Sequence, residues 1–258
     1  MSAIVQLLGL DFADVDAPHA AELLARRPPG EPFGYVVTPN ADHLVRLHRQ
    51  PKLAPLYRDA MLRLLDSRVV ALASRILGLP SPRVAPGSDL TAALLRDHVS
   101  GGERVTIVGL SARWLPALLE RTGIPTPAHY DPPVGFDRDP DGMRAAVEFV
   151  LAHPARFVFL AVGSPRQEML AAAICATGRA TGVGLCIGAS LEFIAGGRPR
   201  APKWMQHAGL EWLHRLIRQP RRMAWRYLID CPAIFPLLWR ERLAARARPG
   251  AGSLRNTS

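Results

Sequence analysis

The run Phe157-Val-Phe-Leu-Ala-Val162 is apolar at every position and halts at Gly163. An alternating strand shows one polar face, and this run has none. Its length and its aromatic and β-branched side chains fit a strand covered on both sides, as in a parallel sheet. After it, Gly163-Ser-Pro-Arg-Gln167-Glu168 reads as a glycine stop, a Ser164 helix cap, Pro165 at the first helical position and a polar first turn. The strand is therefore expected to end against free helix N–H groups and polar side chains. In open α/β sheets, ligands bind at that end. The same residues also suit an ordinary capped turn with no ligand.

The pattern recurs. Strands read over Ile4–Leu8, Gly34–Thr38, Met61–Leu65, Arg104–Gly109, Ala128–Tyr130 and Gly182–Gly188. Helical stretches alternate with them: Ala17–Arg27 behind Asp16, Ala41–Arg49, Lys52–Ala60, Val69–Leu77, Asp89–His98 behind Ser88, Ala112–Arg121, Gly142–Ala152 and Met169–Thr177. Such alternation over residues 1–197 predicts a doubly wound α/β sheet. Gly196-Gly-Arg-Pro-Arg-Ala-Pro202 marks a boundary. Beyond it the chain reads as helices only, over Lys203–Arg218, Pro220–Ile229 and Pro232–Ala247, and residues 249–258 read as a frayed tail. The apolar run Leu228–Trp239 is short and carries Asp230, Pro232 and Pro236, so no transmembrane span is expected. Met1-Ser-Ala-Ile-Val lacks the basic start of a signal peptide.

Charge separates the same two parts. Of the formal net charge of +10, residues 1–197 contribute nothing, because 19 Lys/Arg meet 19 Asp/Glu. Residues 198–248 set 12 Lys/Arg against Glu211, Asp230 and Glu241. This asymmetry points to an anionic partner. Arg215, Arg218 and Arg222 fall at helical spacing, with Arg221 and Arg226 beside them, and Trp212, Leu213, Leu216 and Ile217 supply an apolar face. A basic helix with Trp and Leu suits a membrane interface, where arginines meet lipid phosphates. A packed helical subdomain with a solvated basic face is the alternative. Nucleic acid ranks last and is not expected, since no zinc-finger or RNA-binding aromatic signature is present. Cys175, Cys186 and Cys231 show no metal-ligand spacing and cannot all pair, which suits a reduced, cytoplasmic protein.

Thr38-Pro39-Asn40 and Asp66 end strands as Gly163–Glu168 does, and in a parallel sheet such ends share one rim. Asp66 follows Leu64-Leu65, so partial burial would raise its pKa and suit a general base. It could equally be the helix cap for Val69 onward. The pairs Asp14/Asp16, Asp137/Asp139 and Asp139/Asp141 have the spacing of carboxylates on a metal-bound diphosphate. They flank a helix start and a Pro- and Gly-rich loop, so no metal is expected. Gly109-Leu-Ser-Ala-Arg113 could cradle phosphate but lacks the full G-x-G-x-x-G pattern, so no nicotinamide or flavin cofactor is expected.

In order along the chain stand Thr38-Pro-Asn40, Leu65-Asp66, Arg83 through Gly87-Ser-Asp89, Gly163-Ser-Pro-Arg-Gln-Glu168, Gly188-Ala-Ser-Leu-Glu-Phe193, Arg200-Ala-Pro-Lys-Trp-Met-Gln206, Gly209-Leu-Glu-Trp212 and Pro220-Arg-Arg222. Together they resemble the WecG/TagA/CpsF glycosyltransferase family, glycosyltransferase family 26. The resemblance implies an α/β fold, a Rossmann-like doubly wound mostly parallel sheet, with a basic helical C-terminal appendage over 198–248 that associates with membranes. It implies inverting, metal-independent transfer of a sugar from a UDP-sugar to a polyprenyl-diphosphate-linked saccharide, without a cofactor, on the inner face of the cell membrane. Such transfer belongs to bacterial cell-surface or exopolysaccharide biosynthesis.

By position, Asp66 matches the family's proposed base. Thr38, Asn40, Arg83 and Gln167 match residues around the donor sugar and its diphosphate, with Gly163, Gly188 and Glu192 in the matching loops. Arg215, Arg218, Arg221 and Arg222 match the appendage arginines that receive the lipid diphosphate. Two positions depart from the family pattern: Asp66-Ser67 stands for Asp-Gly, and Glu192 stands for Asp. These bear on which sugar is moved. The rival class is a non-catalytic nucleotide-sugar or anionic-lipid binding protein of the same fold, and a homo-oligomer is compatible with either.

Overall fold

The computed structural model describes residues 3–99, 102–197, 205 and 231–247. The first element departs from the single strand expected over Ile4–Leu8. Strand β1 (Ile4–Leu7) instead pairs antiparallel with β2 (Leu10–Ala13) in a separate hairpin. Leu8 and Gly9 both take positive φ, 50° and 73°, as a two-residue hairpin turn demands. Leu10 and Phe12 alternate inward while Asp11 faces out.

Among the described residues six strands form the main sheet: β3 (Gly34–Val37), β4 (Leu62–Arg63), β5 (Val105–Gly109), β6 (Ala128–Tyr130), β7 (Phe157–Ala161) and β8 (Val183–Cys186). Their order is β4-β3-β8-β7-β5-β6, and every ladder is parallel. β7 lies between β8 and β5, and Phe157 through Leu160 are wholly inaccessible. A parallel central strand must be coated on both faces, and this explains a run with no polar position.

The helices are α1 (Ala17–Ala25), α2 (Ala41–Arg49), α3 (Ala54–Arg58), α4 (Arg68–Ile76), α5 (Gly87–Asp97), α6 (Leu115–Thr122), α7 (Pro140–Ala152), α8 (Arg166–Ala176), α9 (Ser190–Ile194) and α10 (Ile234–Ala247). Side chains on β7 point alternately to two cores. Phe157 and Phe159 join Leu24, Leu90, Leu94, Leu118 and Leu191, from α1, α5, α6 and α9. Val158 and Leu160 join Leu44, Tyr57, Val70, Val147 and Leu170, from α2, α3, α4, α7 and α8. Helices on both faces of a parallel sheet make the doubly wound architecture.

Ile234, Leu237 and Leu238 of α10 enter the second of these cores. Both carboxylate oxygens of Glu241 accept from the Leu8 N–H at 2.9 Å, which fastens α10 to the β1–β2 turn. Among the described residues no helix is long and apolar enough to cross a membrane. Apart from Met205, the helices expected over Lys203–Arg218 and Pro220–Ile229, the arginines Arg215, Arg218, Arg221 and Arg222, and the tail 249–258 lie outside the described residues.

Candidate active site

The chain leaving β8 turns to one face of the sheet as α9, while the chains leaving its neighbours β3 and β7 turn to the other as α2 and α8. Diverging connections open a crevice at the carboxyl ends of these strands. Four stretches picked out by sequence meet around it: 38–40, 65–66, 163–168 and 188–192.

Asp66 has two possible duties, cap of α4 or carboxylate of the site, and its neighbour decides between them. Ser67 is the cap of α4, its hydroxyl accepting from the Val70 N–H at 3.2 Å. Asp66 is left half-buried, its backbone N–H donating to Pro39 O at 3.0 Å and its Oδ2 accepting from the Gly87 N–H at 3.3 Å. The fully buried Leu64 and Leu65 hold this strand end down, and the Ala85 N–H donates to Leu65 O at 2.9 Å. Gly87 opens α5 beside Thr38; a methyl group there would stand 2.8 Å from Thr38 Oγ1. Glycine therefore allows the first turn of α5 to reach both side chains. Thr38 is buried, and its hydroxyl donates to Cys186 O at 3.5 Å. The Ser88 cap expected for α5 is replaced by Pro86, which makes no side-chain capping bond.

The remaining expected residues divide by what holds them. Asn40 caps α2, accepting from the His43 N–H at 3.3 Å. Gln167 is buried; its Oε1 accepts from the Gly188 N–H at 2.8 Å and its Nε2 donates to Glu168 Oε1 at 2.9 Å. It thus clasps the exits of β7 and β8 together. Gly163 and Gly188 take positive φ, 81° and 55°, at those two exits. Glu192 is half-buried in the first turn of α9. Arg83 is exposed: its N–H donates to Asp14 at 2.8 Å and its guanidinium stands 3.9 Å from Asp16. A different cation lies at the rim, since Arg166 Nη2 is 3.5 Å from where a Gly163 side chain would begin.

Ser164 does not cap α8. Its hydroxyl accepts from Arg46 Nη2 at 2.5 Å and lies 3.1 Å from the Tyr57 hydroxyl. With Glu168 these residues form a partly buried polar cluster beside the exit of β7. Burial pushes the Glu168 carboxyl above its ordinary value, opposed by the Gln167 hydrogen bond and the Arg46 charge. Burial, reinforced by Glu168, also pushes the Tyr57 phenol up. Arg46 and Tyr57 sit between apolar neighbours in sequence, Val45/Leu47 and Leu56. A charged or phenolic group inside an apolar stripe was the available signal for this cluster.

The paired aspartates do local work. Asp14 accepts from the Arg83 N–H, Asp16 caps α1, and Asp139 caps α7 by accepting from Asp141 and Gly142. Among the described residues no group of three or more His, Cys, Asp or Glu is placed to hold a metal ion. The Gly109 loop approaches the neighbouring exit closely, since a methyl group at Gly109 would stand 2.7 Å from the Ala161 carbonyl carbon. His129 Nε2 lies 3.1 Å and 2.8 Å from the Gly109 and Leu110 carbonyls.

Chemically, the crevice offers a carboxylate not used to cap α4, a hydroxyl near it and a guanidinium at the exit of β7. This set suits proton removal from a hydroxyl next to an anionic leaving group. The model of the glycosyl transferase WecG/TagA/CpsF family matches residues 5–248, so the chain belongs to that family and its general activity is the transfer of a sugar.

Proposed function

We propose that this protein moves a hexosyl or N-acetylhexosaminyl unit from a UDP-sugar to a polyprenyl-diphosphate-linked saccharide, with inversion and without a metal, at the inner face of the cell membrane. The observation that carries the reading is that Ser67 caps α4 in place of Asp66, which puts a half-buried carboxylate at the strand end near Thr38. In a single displacement, Asp66 takes the proton of an acceptor hydroxyl as that oxygen bonds to the anomeric carbon. The bond from that carbon to the UDP oxygen breaks, and UDP leaves with the electron pair. Arg166 and helix N-terminal amides meet the charge gathering on the β-phosphate.

Thr38 orients the donor directly. Asn40 and Gln167 act by fixing the rim: one starts α2 and the other joins the exits of β7 and β8. Gly163, Gly188 and Glu192 shape the walls of the crevice. Arg83, held by Asp14 and Asp16, serves the donor side from outside it. Arg215, Arg218, Arg221 and Arg222 receive the lipid diphosphate.

The test is UDP release from a panel of UDP-sugars with a lipid-linked acceptor. Asp66→Asn is expected to lower turnover by about 10²–10⁴-fold with an unchanged thermal midpoint. Near-normal turnover would remove this carboxylate as the base.

A further inference from the structure

Two helices on one side of the molecule leave large apolar side chains in the open. On α4, Leu72 and Ile76 are 60% and 73% exposed, one turn apart. On α10, Phe235, Trp239 and Leu243 follow one another at four-residue spacing and are 48%, 52% and 50% exposed. The inner sides of the same helices are core: Val70, Ala71 and Ala73 on α4, and Ile234, Leu237 and Leu238 on α10. Between them runs an open groove of about 480 Å³ lined by Ala73, Ile76, Leu77, Phe235, Pro236 and Trp239. A protein in water rarely keeps such a continuous apolar strip without a use for it.

Charge selects the occupant. α4 carries Arg68 and Arg75 and no acid, and α10 carries Arg240, Arg242 and Arg246. The one carboxylate on either helix, Glu241, is turned to the Leu8 N–H. The Arg242 guanidinium lies 5.7 Å from the centre of the Trp239 ring, so aromatic and cation are presented together. Two copies meeting through this face would set arginines against arginines. An anionic lipid surface accepts the same set without conflict: Trp, Phe and Leu enter the headgroup layer while the arginines meet phosphates.

We propose that α4, a helix of the sheet domain, and α10 together form a platform that rests on an anionic bilayer. This rests on the membrane-surface reading above and deepens it by naming the face. α4 begins at Ser67, directly after Asp66, so the platform shares a helix with the proposed base.

The experiment is co-sedimentation of the full chain with vesicles of phosphatidylglycerol and phosphatidylcholine in equal parts, against pure phosphatidylcholine, at low and high salt. The variants are Ile76→Ser/Trp239→Ser and, in a second protein, Arg240→Glu/Arg246→Glu; all four side chains are exposed, so folding is expected to survive. Wild type is expected to bind the anionic vesicles and release them in salt, and each double variant to bind about tenfold more weakly. Undiminished binding by both variants overturns the proposal. So does a stable dimer that either variant dissociates, which would make the face a self-association surface. Vesicle binding needs no donor or acceptor, whereas UDP release from a water-soluble acceptor needs no vesicle. Failure of this inference and failure of the sugar-transfer reading are therefore read in different assays.

Discussion

Glu168 is the residue whose surroundings ask most of it. It is 1% exposed, accepts from the Gln167 side chain, and sits near Tyr57, Ser164 and Arg46. Its carboxyl is pushed up by burial, so the sign of the effect on stability is set. A carboxyl raised in the folded state binds its proton more tightly there than in the unfolded chain. It supports folding below the ordinary value of 4.5 and loses that support as pH climbs through the raised value. Glu168→Gln keeps an acceptor for Gln167 and removes the titration. Its thermal midpoint, measured from pH 4 to pH 8, is expected to gain on wild type as pH rises, and a constant difference would show that the carboxyl titrates alike in the folded and unfolded chain. The cluster was hard to read in sequence because its members come from three helices, α2, α3 and α8, and the loop before α8, and only folding brings them together.

At the scale of single elements, the start of α4 decides whether there is a site. The Ser67 hydroxyl takes the capping bond, and Asp66 is thereby spared. Ser67→Ala is expected to cost about 1 kcal/mol, and Ser67→Gly only a few tenths, in chemical denaturation. A Ser67→Ala protein of unchanged stability would show that another group caps the helix. The contrast also shows how far local pattern reaches. The strand β7 was legible because a strand covered on both faces leaves a run with no polar position. The rim position of Thr38, Asp66 and Gln167 followed from parallel topology, since all parallel strands end on one side. What each side chain does there was not legible. Whether Asn40 or Gln167 faces a ligand or a backbone N–H depends on where His43 and Gly188 come to lie. The hairpin arm Leu10–Ala13 escaped because its turn uses a leucine at positive φ in place of the usual Asn or Gly.

On the scale of the whole molecule, the anchoring of α10 joins parts far apart in the chain. Its apolar side enters the core, and Glu241 holds the Leu8 N–H with both oxygens. Glu241→Ala removes the acceptor of a partly buried N–H and is expected to lower stability by about 1–3 kcal/mol. Loosening should appear as faster amide exchange at Leu8 and along α10, and unchanged exchange at both would show that the apolar contacts alone hold the helix. The bond also orders events during synthesis. Residue 8 leaves the ribosome long before residue 241 exists, so the first hairpin must wait, its turn unanchored, until more than 230 further residues have been made. A nascent chain stalled before residue 241 would therefore hold its first hairpin unanchored as well as lack α10, and that hairpin would be open to proteases.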